Sequence, residues 1–385
     1  TYTDNSARYI FFSRAVLETI RKLQLPVDVL HTNDWQTGLV PAYLNLEYRD
    51  DPLFRNIATL HTIHNLQYQG EFWHWDMLLT GLDWKYFNWH QLECHGKLNL
   101  LKTGIAFADA ISTVSPRYAQ EIQTEQFGEG LEGVLQYRSE ALHGILNGID
   151  PTIWSPEVDE HLSDDFCLYD AGCHMQGKAA CKQALQRQLG LHESPDVPLI
   201  AFIGRLAEQK GVELLKHAAR SGSPVNAQWA ILGGAAIEEK HYEHQLEDLQ
   251  RESPGRIAFS SAFDNPLSHR MIAAADMLVM PSLFEPCGLC QLYALRYGTI
   301  PIARHVGGLA DTVNEENGFV FYDFTTDSFT DAVCRAVDCY NNDPAGWQQR
   351  IETGMRQDYS WDHEAETYED VFESIMSARR EKTAT

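Results

Sequence analysis

The chain is poor in positive charge and in cysteine, and it has no long apolar run. Lys and Arg number 30 against 54 Asp and Glu, a formal net charge of −24. A surface that negative disfavours a nucleic-acid backbone or an anionic membrane surface as partner. No apolar stretch approaches the ~18 residues of a membrane-crossing helix, which excludes a helical membrane-spanning protein. Eight cysteines scattered over 385 residues are too few for a disulfide scaffold. Cys287 and Cys290 form one C-x-x-C, read as two reduced thiols because no second C-x-x-C and no H-x-x-x-H completes a metal set. The chain opens on Thr1-Tyr2-Thr3 with no Met, no basic segment and no apolar leader. No signal peptide is visible, and the start of the natural chain is expected to be absent.

What is present is ordinary globular composition, with 44% hydrophobic and 22% charged residues. That argues against disorder, collagen and coiled coil. The length suits two or three domains. No internal repeat or low-complexity tract interrupts it.

Apolar runs that end in polar residues alternate with helical spacing. Residues 6–24 read as an amphipathic helix through Tyr9, Ile10, Phe12, Ala15, Val16, Ile20 and Leu23. Strands are expected at Val27–His31, Ile57–Ile63, Ala110–Val114 and Gly144–Leu146, with helices at Leu39–Leu46 and Leu98–Phe107. A polar stretch, 155–180, reads as a connection. A second series follows: strands at Leu199–Ile203, Trp229–Leu232, Ile257–Phe259, Met277–Met280, Ile300–Ala303 and Phe319–Tyr322, with helices such as 238–251 and 289–297. Trp361–Arg379 reads as a closing acidic amphipathic helix. Alternating strand and helix implies parallel sheets covered on both faces, hence two doubly wound α/β domains facing each other across a cleft. The expected partition is 1–154, 155–180 as connection, 181–360, and 361–385 as a helix returning to the first domain.

In open α/β sheets ligands bind at the carboxyl ends of strands, so the residues just past each strand are the ones to read chemically. Arg205 and Lys210 share one strand-to-helix loop, Gly204–Gly211. Two cations at a helix start suit a diphosphate, though two exposed loop cations would look the same. Glu285 stands in Pro281-Ser282-Leu283-Phe284-Glu285-Pro286-Cys287-Gly288-Leu289, where a carboxylate can accept from sugar hydroxyls and backbone N–H groups near Leu289 can meet a phosphate. The alternative is a loop acid beside a rigid Pro turn. His64 ends Leu60-His61-Thr62-Ile63-His64-Asn65, as a structural or a catalytic histidine. Asp34, in His31-Thr32-Asn33-Asp34-Trp35, either caps a helix or binds a sugar or acceptor.

Taken together, H-T-N-D-W-Q-T-G-L at 31–39, T-I-H-N-L-Q-Y-Q-G at 62–70, S-T-V-S-P at 112–116, N-G-I-D at 147–150, G-R-L-A-E-Q-K-G at 204–211, E-P-C-G-L at 285–289 and G-G-L-A-D-T-V at 307–313 resemble the bacterial glycogen synthase and plant starch synthase family. Any one string is weak; the ordered set spans nearly the whole chain. The resemblance implies the glycosyltransferase-B architecture, two facing Rossmann-like domains. It also implies retaining transfer of glucose from ADP-glucose to the non-reducing end of an α-1,4-glucan. By motif, Arg205 and Lys210 would neutralise the departing diphosphate, Glu285 would hold donor-glucose hydroxyls, and His64 would stabilise charge near the anomeric carbon. Cys287, Gly288 and Leu289 would shape the donor pocket, Asn147 would lie near the donor sugar, and Asp34 near the acceptor face. Phe263 stands where the family often has Tyr under the adenine. No D-x-D occurs, so no metal and no cofactor beyond the donor substrate is expected.

The resemblance further implies a cytoplasmic bacterial or plastid-stromal enzyme without nucleic-acid or membrane partners. Nothing in the sequence sets an oligomeric state. The family's K-x-G-G-L loop does not precede Thr1-Tyr2-Thr3, so the first domain is expected to lack its front and the chain to show little transfer activity. Rival readings are a UDP-glucose-dependent or small-acceptor glycosyltransferase, a phosphorylase, and a glucan-binding remnant of a synthase.

Overall fold

The computed structural model describes residues 2–163, 165–220, 222–262 and 264–384. The chain divides into two compact units, one of Thr1–Asn147 with Asp362–Thr385, the other of Gly148–Trp361. Among the described residues no helix is long and apolar enough to cross a membrane.

The first unit carries strands β1 (Val29–Asn33), β2 (Ala58–Ile63), β3 (Glu71–Phe72), β4 (Glu93–Cys94), β5 (Lys97–Asn99), β6 (Ala110–Thr113) and β7 (Leu142–Gly144). Four of them form a parallel sheet in the order β1-β2-β6-β7. β2 and β6 are buried along their whole length, which is why they read as unbroken apolar and small-residue runs. Helix Asn5–Leu23 buries Ile10, Leu17 and Ile20 against Leu39, Tyr43 and Leu44. The closing helix, Asp362–Ala384, lays Val371, Ile375, Tyr368 and Phe372 on Ala58, Leu60, Ala110 and Ile145. Arg379 on that helix pairs with Asp109 beside β6. A small antiparallel sheet, β3-β5-β4, was not foreseen.

β7 lies two residues earlier than expected, because Ile145 is buried just beyond the strand's end and its apolarity drew the expected strand forward. The S-T-V-S-P string is a helix start. Ser115 accepts from Tyr118 N at 2.8 Å, and Pro116 sits in the first turn of Pro116–Glu121.

The second unit carries β8 (Leu199–Ile203), β9 (Gln228–Leu232), β10 (Ile257–Ser260), β11 (Met277–Met280), β12 (Ile300–Arg304) and β13 (Phe319–Phe321). All are parallel, in the order β10-β9-β8-β11-β12-β13. Strand order reverses between β8 and β11, and those two strands pair only at Ile200–Met277 and Ala201–Leu278. Past those residues they diverge, which opens a crevice at their carboxyl ends.

Residues 155–180 do not stand apart from this unit. Asp159 accepts from Tyr297 Oη at 2.6 Å and pairs with His269 Nδ1 at 2.8 Å. Tyr169 Oη donates to Tyr297 O at 2.9 Å, and helix His174–Leu189 starts inside the stretch. Trp154 is stacked between His269 and Tyr293, with centroids 3.6 and 3.7 Å away. The irregular backbone gave no periodicity to read, yet side chains bind it tightly to the second sheet.

Candidate functional site

The crevice between β8 and β11 brings two of the chemically suggestive strings together. β8 ends at Ile203, and Arg205 follows in the loop leading to helix Val212–Ala219. β11 ends at Met280 and runs into Pro281–Leu289 before helix Cys290–Arg296. Lys210 Nζ meets Glu285 Oε2 at 2.5 Å, and Ser282 Oγ donates to the same oxygen at 2.9 Å. The Glu285 side chain is 7% exposed and that of Lys210 20%. The pair is therefore partly desolvated but reachable from the crevice.

Gln209 ties the loops further. Its Oε1 accepts from Arg205 Nη2 at 3.2 Å, its Nε2 donates to Phe284 O at 3.2 Å, and its carbonyl accepts from Leu283 N at 2.8 Å. Arg304, at the end of β12, donates to Leu283 O at 2.5 Å. Glycine permits the close approach. Gly211 has φ +70°, and a Cβ there would lie 2.0 Å from Pro281 O. Gly307 has φ +47°, and a Cβ there would lie 1.9 Å from Glu285 O. Gly308 N donates to Glu285 O at 3.1 Å, so the G-G-L string grips the Glu285 backbone from the start of helix Gly307–Thr312.

Cys287 is buried, and Gly288 (φ +73°) and Leu289 are half-buried at the start of the following helix. Gln291 Nε2 donates to the carbonyls of Cys287 and Gly288 at 3.0 and 3.1 Å, which fixes this corner. Neither thiol of the C-x-x-C is in a disulfide, and burial pushes Cys290 up to about 11. It is a protonated packing residue with its Sγ 3.8 Å from Ile203 O. Among the described residues, no group of three or more His, Cys, Asp or Glu is placed to hold a metal ion. Phe263 lies outside the described residues.

In the first unit, the β1–β2 register aligns Asn33 with Thr62, so the residues after each strand are neighbours. Asp34 does not cap a helix. Its backbone sits at φ +53°, and its carboxylate accepts from His64 N at 2.8 Å. Burial raises the Asp34 carboxyl above its ordinary value, opposed by the N–H groups of His64 and Asn65 and by the charge of His64. The exposed His64 ring meets Asn33 Oδ1 through Nε2 at 2.9 Å. Asn33, Asp34 and His64 thus form one polar cluster at the sheet's carboxyl edge.

The neighbouring histidines are structural. His61 is fully buried, bonded through Nδ1 to Thr32 Oγ1 at 2.8 Å, and burial pushes it down to about 3. His31 meets Thr62 Oγ1 at 2.6 Å, and burial, with the charge of His64, lowers it. Asn147 is half-buried at the end of the first unit's leading segment. Residue-by-residue reading missed Asn33, Gln209, Ser282, Gln291 and Arg304. Asn33, Gln209 and Ser282 stood inside strings already singled out, as neutral neighbours of charged residues. For Arg304 the only signal was its place at a strand end.

The chain is similar to known proteins over nearly its whole length. Residues 1–137 match the family model "Starch synthase catalytic domain", and 186–352 match "Glycosyl transferases group 1". A glycogen synthase of Anaeromyxobacter sp. (strain Fw109-5) is 46% identical over 382 residues, covering 98% of this chain and 79% of that protein. One of Thermosipho africanus is 43% identical over 384 residues, covering 98% and 78%. The solved catalytic domain of starch synthase IV from Arabidopsis thaliana, bound to ADP and acarbose, superposes with a TM-score of 0.90 at 34% identity, covering 98% of this chain and 78% of that one.

Proposed function

The chain belongs to the glycogen and starch synthase family of glycosyltransferase-B hexosyltransferases, and from that footing we propose that it transfers glucose from ADP-glucose to the non-reducing end of an α-1,4-glucan, with retention of anomeric configuration. The observation that carries this reading is the Lys210–Glu285 pair at the point of strand-order reversal, with Arg205 in the same loop. The choice of ADP-glucose as donor is supported by the ADP-bound starch synthase neighbour.

The parts divide as follows. The diphosphate lies against Arg205 and Lys210, which stabilise the charge that develops as the C1–O bond to phosphate breaks. Glu285, released from Lys210, accepts from hydroxyls of the donor glucose and fixes its orientation. The acceptor's terminal hydroxyl oxygen forms the new bond to C1 on the face the phosphate leaves. Its proton passes to the departing phosphate oxygen, so the products are ADP and a glucan longer by one residue. His64, held by Asn33, is the first unit's candidate for a polar contact with the donor glucose. A double-displacement route would need a second carboxylate about 5 Å from the first. The polar partners observed on Glu285 are instead Lys210 and Ser282, which suits a direct front-face transfer.

Arg205 and Lys210 supply the positive charge a metal would otherwise bring, so transfer should persist in EDTA. The setting proposed is the bacterial cytoplasm; the bacterial source of the glycogen synthase relatives supports the first half of that reading. The experiment is ADP binding and radiolabelled glucose transfer to glycogen by Arg205→Ala and Lys210→Ala, with UDP-glucose as competing donor. Each substitution should cut transfer by about 10²- to 10³-fold. Undiminished transfer, or a preference for UDP-glucose, would refute the proposal.

A further inference from the structure

Three exposed tryptophans stand together in the first unit, outside the Asn33–Asp34–His64 cluster. Trp73, Trp75 and Trp84 are 65%, 48% and 40% exposed. Trp73 and Trp75 lie 6.3 Å apart at 67°, Trp75 and Trp84 5.5 Å apart at 79°, and Trp84 and Phe87 5.6 Å apart at 74°. Phe87 and Tyr86 pack on the core around Leu39 and Tyr43, so the ladder of rings grows outward from a fixed base.

The supporting turn is braced. Asp83 accepts from Lys85 N at 2.8 Å, and Asn88 Nδ2 donates to Lys85 O at 2.8 Å and to Gln91 Oε1 at 2.9 Å. Lys102 Nζ donates to Trp89 O at 2.5 Å and also to Glu93 O. Three tryptophans left this open expose on the order of 300–400 Å², the size of the largest apolar patch on a typical monomer, which is often functional.

We propose that the Trp73–Trp75–Trp84 ladder is a second glucan-binding platform, separate from the residues assigned to transfer, that holds the polymer by ring stacking. The proposal rests on the synthase reading for its ligand. Charge favours this occupant. The chain carries −24, which repels nucleic acid and anionic membranes, whereas a glucan is uncharged and meets no such barrier. A sugar presents C–H groups on its faces and hydroxyls at its rim. The ladder presents exposed indoles, with Asp76, Asp83, Lys85 and His74 among them in the chain. A branched polymer with many chain ends would gain avidity from a site that holds one chain while another is extended.

The test is affinity electrophoresis of the full 385-residue chain in gels containing glycogen, without donor. The unsubstituted chain should be retarded, and Trp73→Ala/Trp75→Ala should weaken apparent affinity about tenfold or more. Trp75→Phe should keep most of the retardation, which separates lost stacking from lost folding. ADP binding by calorimetry should be unchanged in all variants. Retardation of the double variant equal to that of the unsubstituted chain would overturn the proposal. So would an unsubstituted chain that glycogen does not retard, or a variant that shifts only sedimentation, which would make the ladder a contact between copies. Failure of the synthase reading looks different: ADP binding would be missing while retardation persisted.

Discussion

Replacing Glu285 by Gln separates what this residue does for the sugar from what it does to Lys210. The two groups are 2.5 Å apart, with side-chain exposures of 7% and 20%. At an effective dielectric near 20, their gross attraction is roughly 7 kcal/mol, most of it cancelled by desolvation, leaving a net of about 1–2 kcal/mol. Lys210 must surrender that interaction, wholly or in part, to reach a phosphate. Glu285→Gln keeps the shape and can still accept from Ser282, but it frees the ammonium. ADP should therefore bind about 5- to 30-fold more tightly to Glu285→Gln, while glucose transfer falls by about 10²-fold or more. Lys210→Met is the opposite case. It strands a carboxylate that is 7% exposed beside Ser282 alone, costing about 3–5 kcal/mol of stability and abolishing ADP binding. The double variant should regain most of that stability. Calorimetry with ADP and denaturant unfolding read both quantities. Weaker ADP binding by Glu285→Gln, or a Lys210→Met variant as stable as Glu285→Gln, would refute the assignment of Lys210 to the diphosphate.

Two other outcomes follow from the packing. Gly211→Ala forces an L side chain into φ +70° and drives its Cβ to 2.0 Å from Pro281 O, so the loops after β8 and β11 must separate. ADP affinity should fall about tenfold or more, with a stability loss of about 2 kcal/mol, read by calorimetry and unfolding. Lys178 is buried, with Nζ donating to Ala273 O at 3.0 Å and Thr299 Oγ1 at 2.7 Å, and burial lowers it to about 8. The folded chain then sheds this proton near pH 8 and the unfolded chain near 10.5, so its penalty is full below pH 8 and is relieved as pH rises between the two. Relative to Lys178→Met, the unsubstituted chain should gain up to about 3 kcal/mol of unfolding free energy over that window, and parallel curves would refute it.

The strands of the second sheet were legible because each is a short apolar run with punctuation on both sides. Leu199–Ile203 and Met277–Met280 lie where the pattern placed them, and both are buried almost throughout. The small sheet β3-β5-β4 was not legible, since strands of two or three residues are shorter than any alternation that could announce them. Residues 155–180 failed for another reason. Their order comes from single side chains such as Asp159 and Tyr169 reaching distant partners, and such reach leaves no period in the sequence.

The candidate site shows the same division between residue type and residue contact. Arg205, Lys210, Glu285 and His64 stood out because charged or titratable groups just past a parallel strand have few structural reasons to be there. That Lys210 would sit on Glu285, 75 positions away, follows only from the order β9-β8-β11-β12. That order sets the first and fourth strands of the unit side by side, with separate helices leaving each. Two loops then rise from adjacent strands with no strand between them, and Gly211 lets their backbones close to contact distance, while Gly307 does the same for the loop after β12. Asp34 makes the complementary point. Its side chain is of a kind that caps helices, and it precedes a helical turn, but the parallel neighbour β2 delivers the His64 N–H to it first. In both units, the register between parallel strands decides which polar group a loop residue meets, and a linear string of residues does not contain that register.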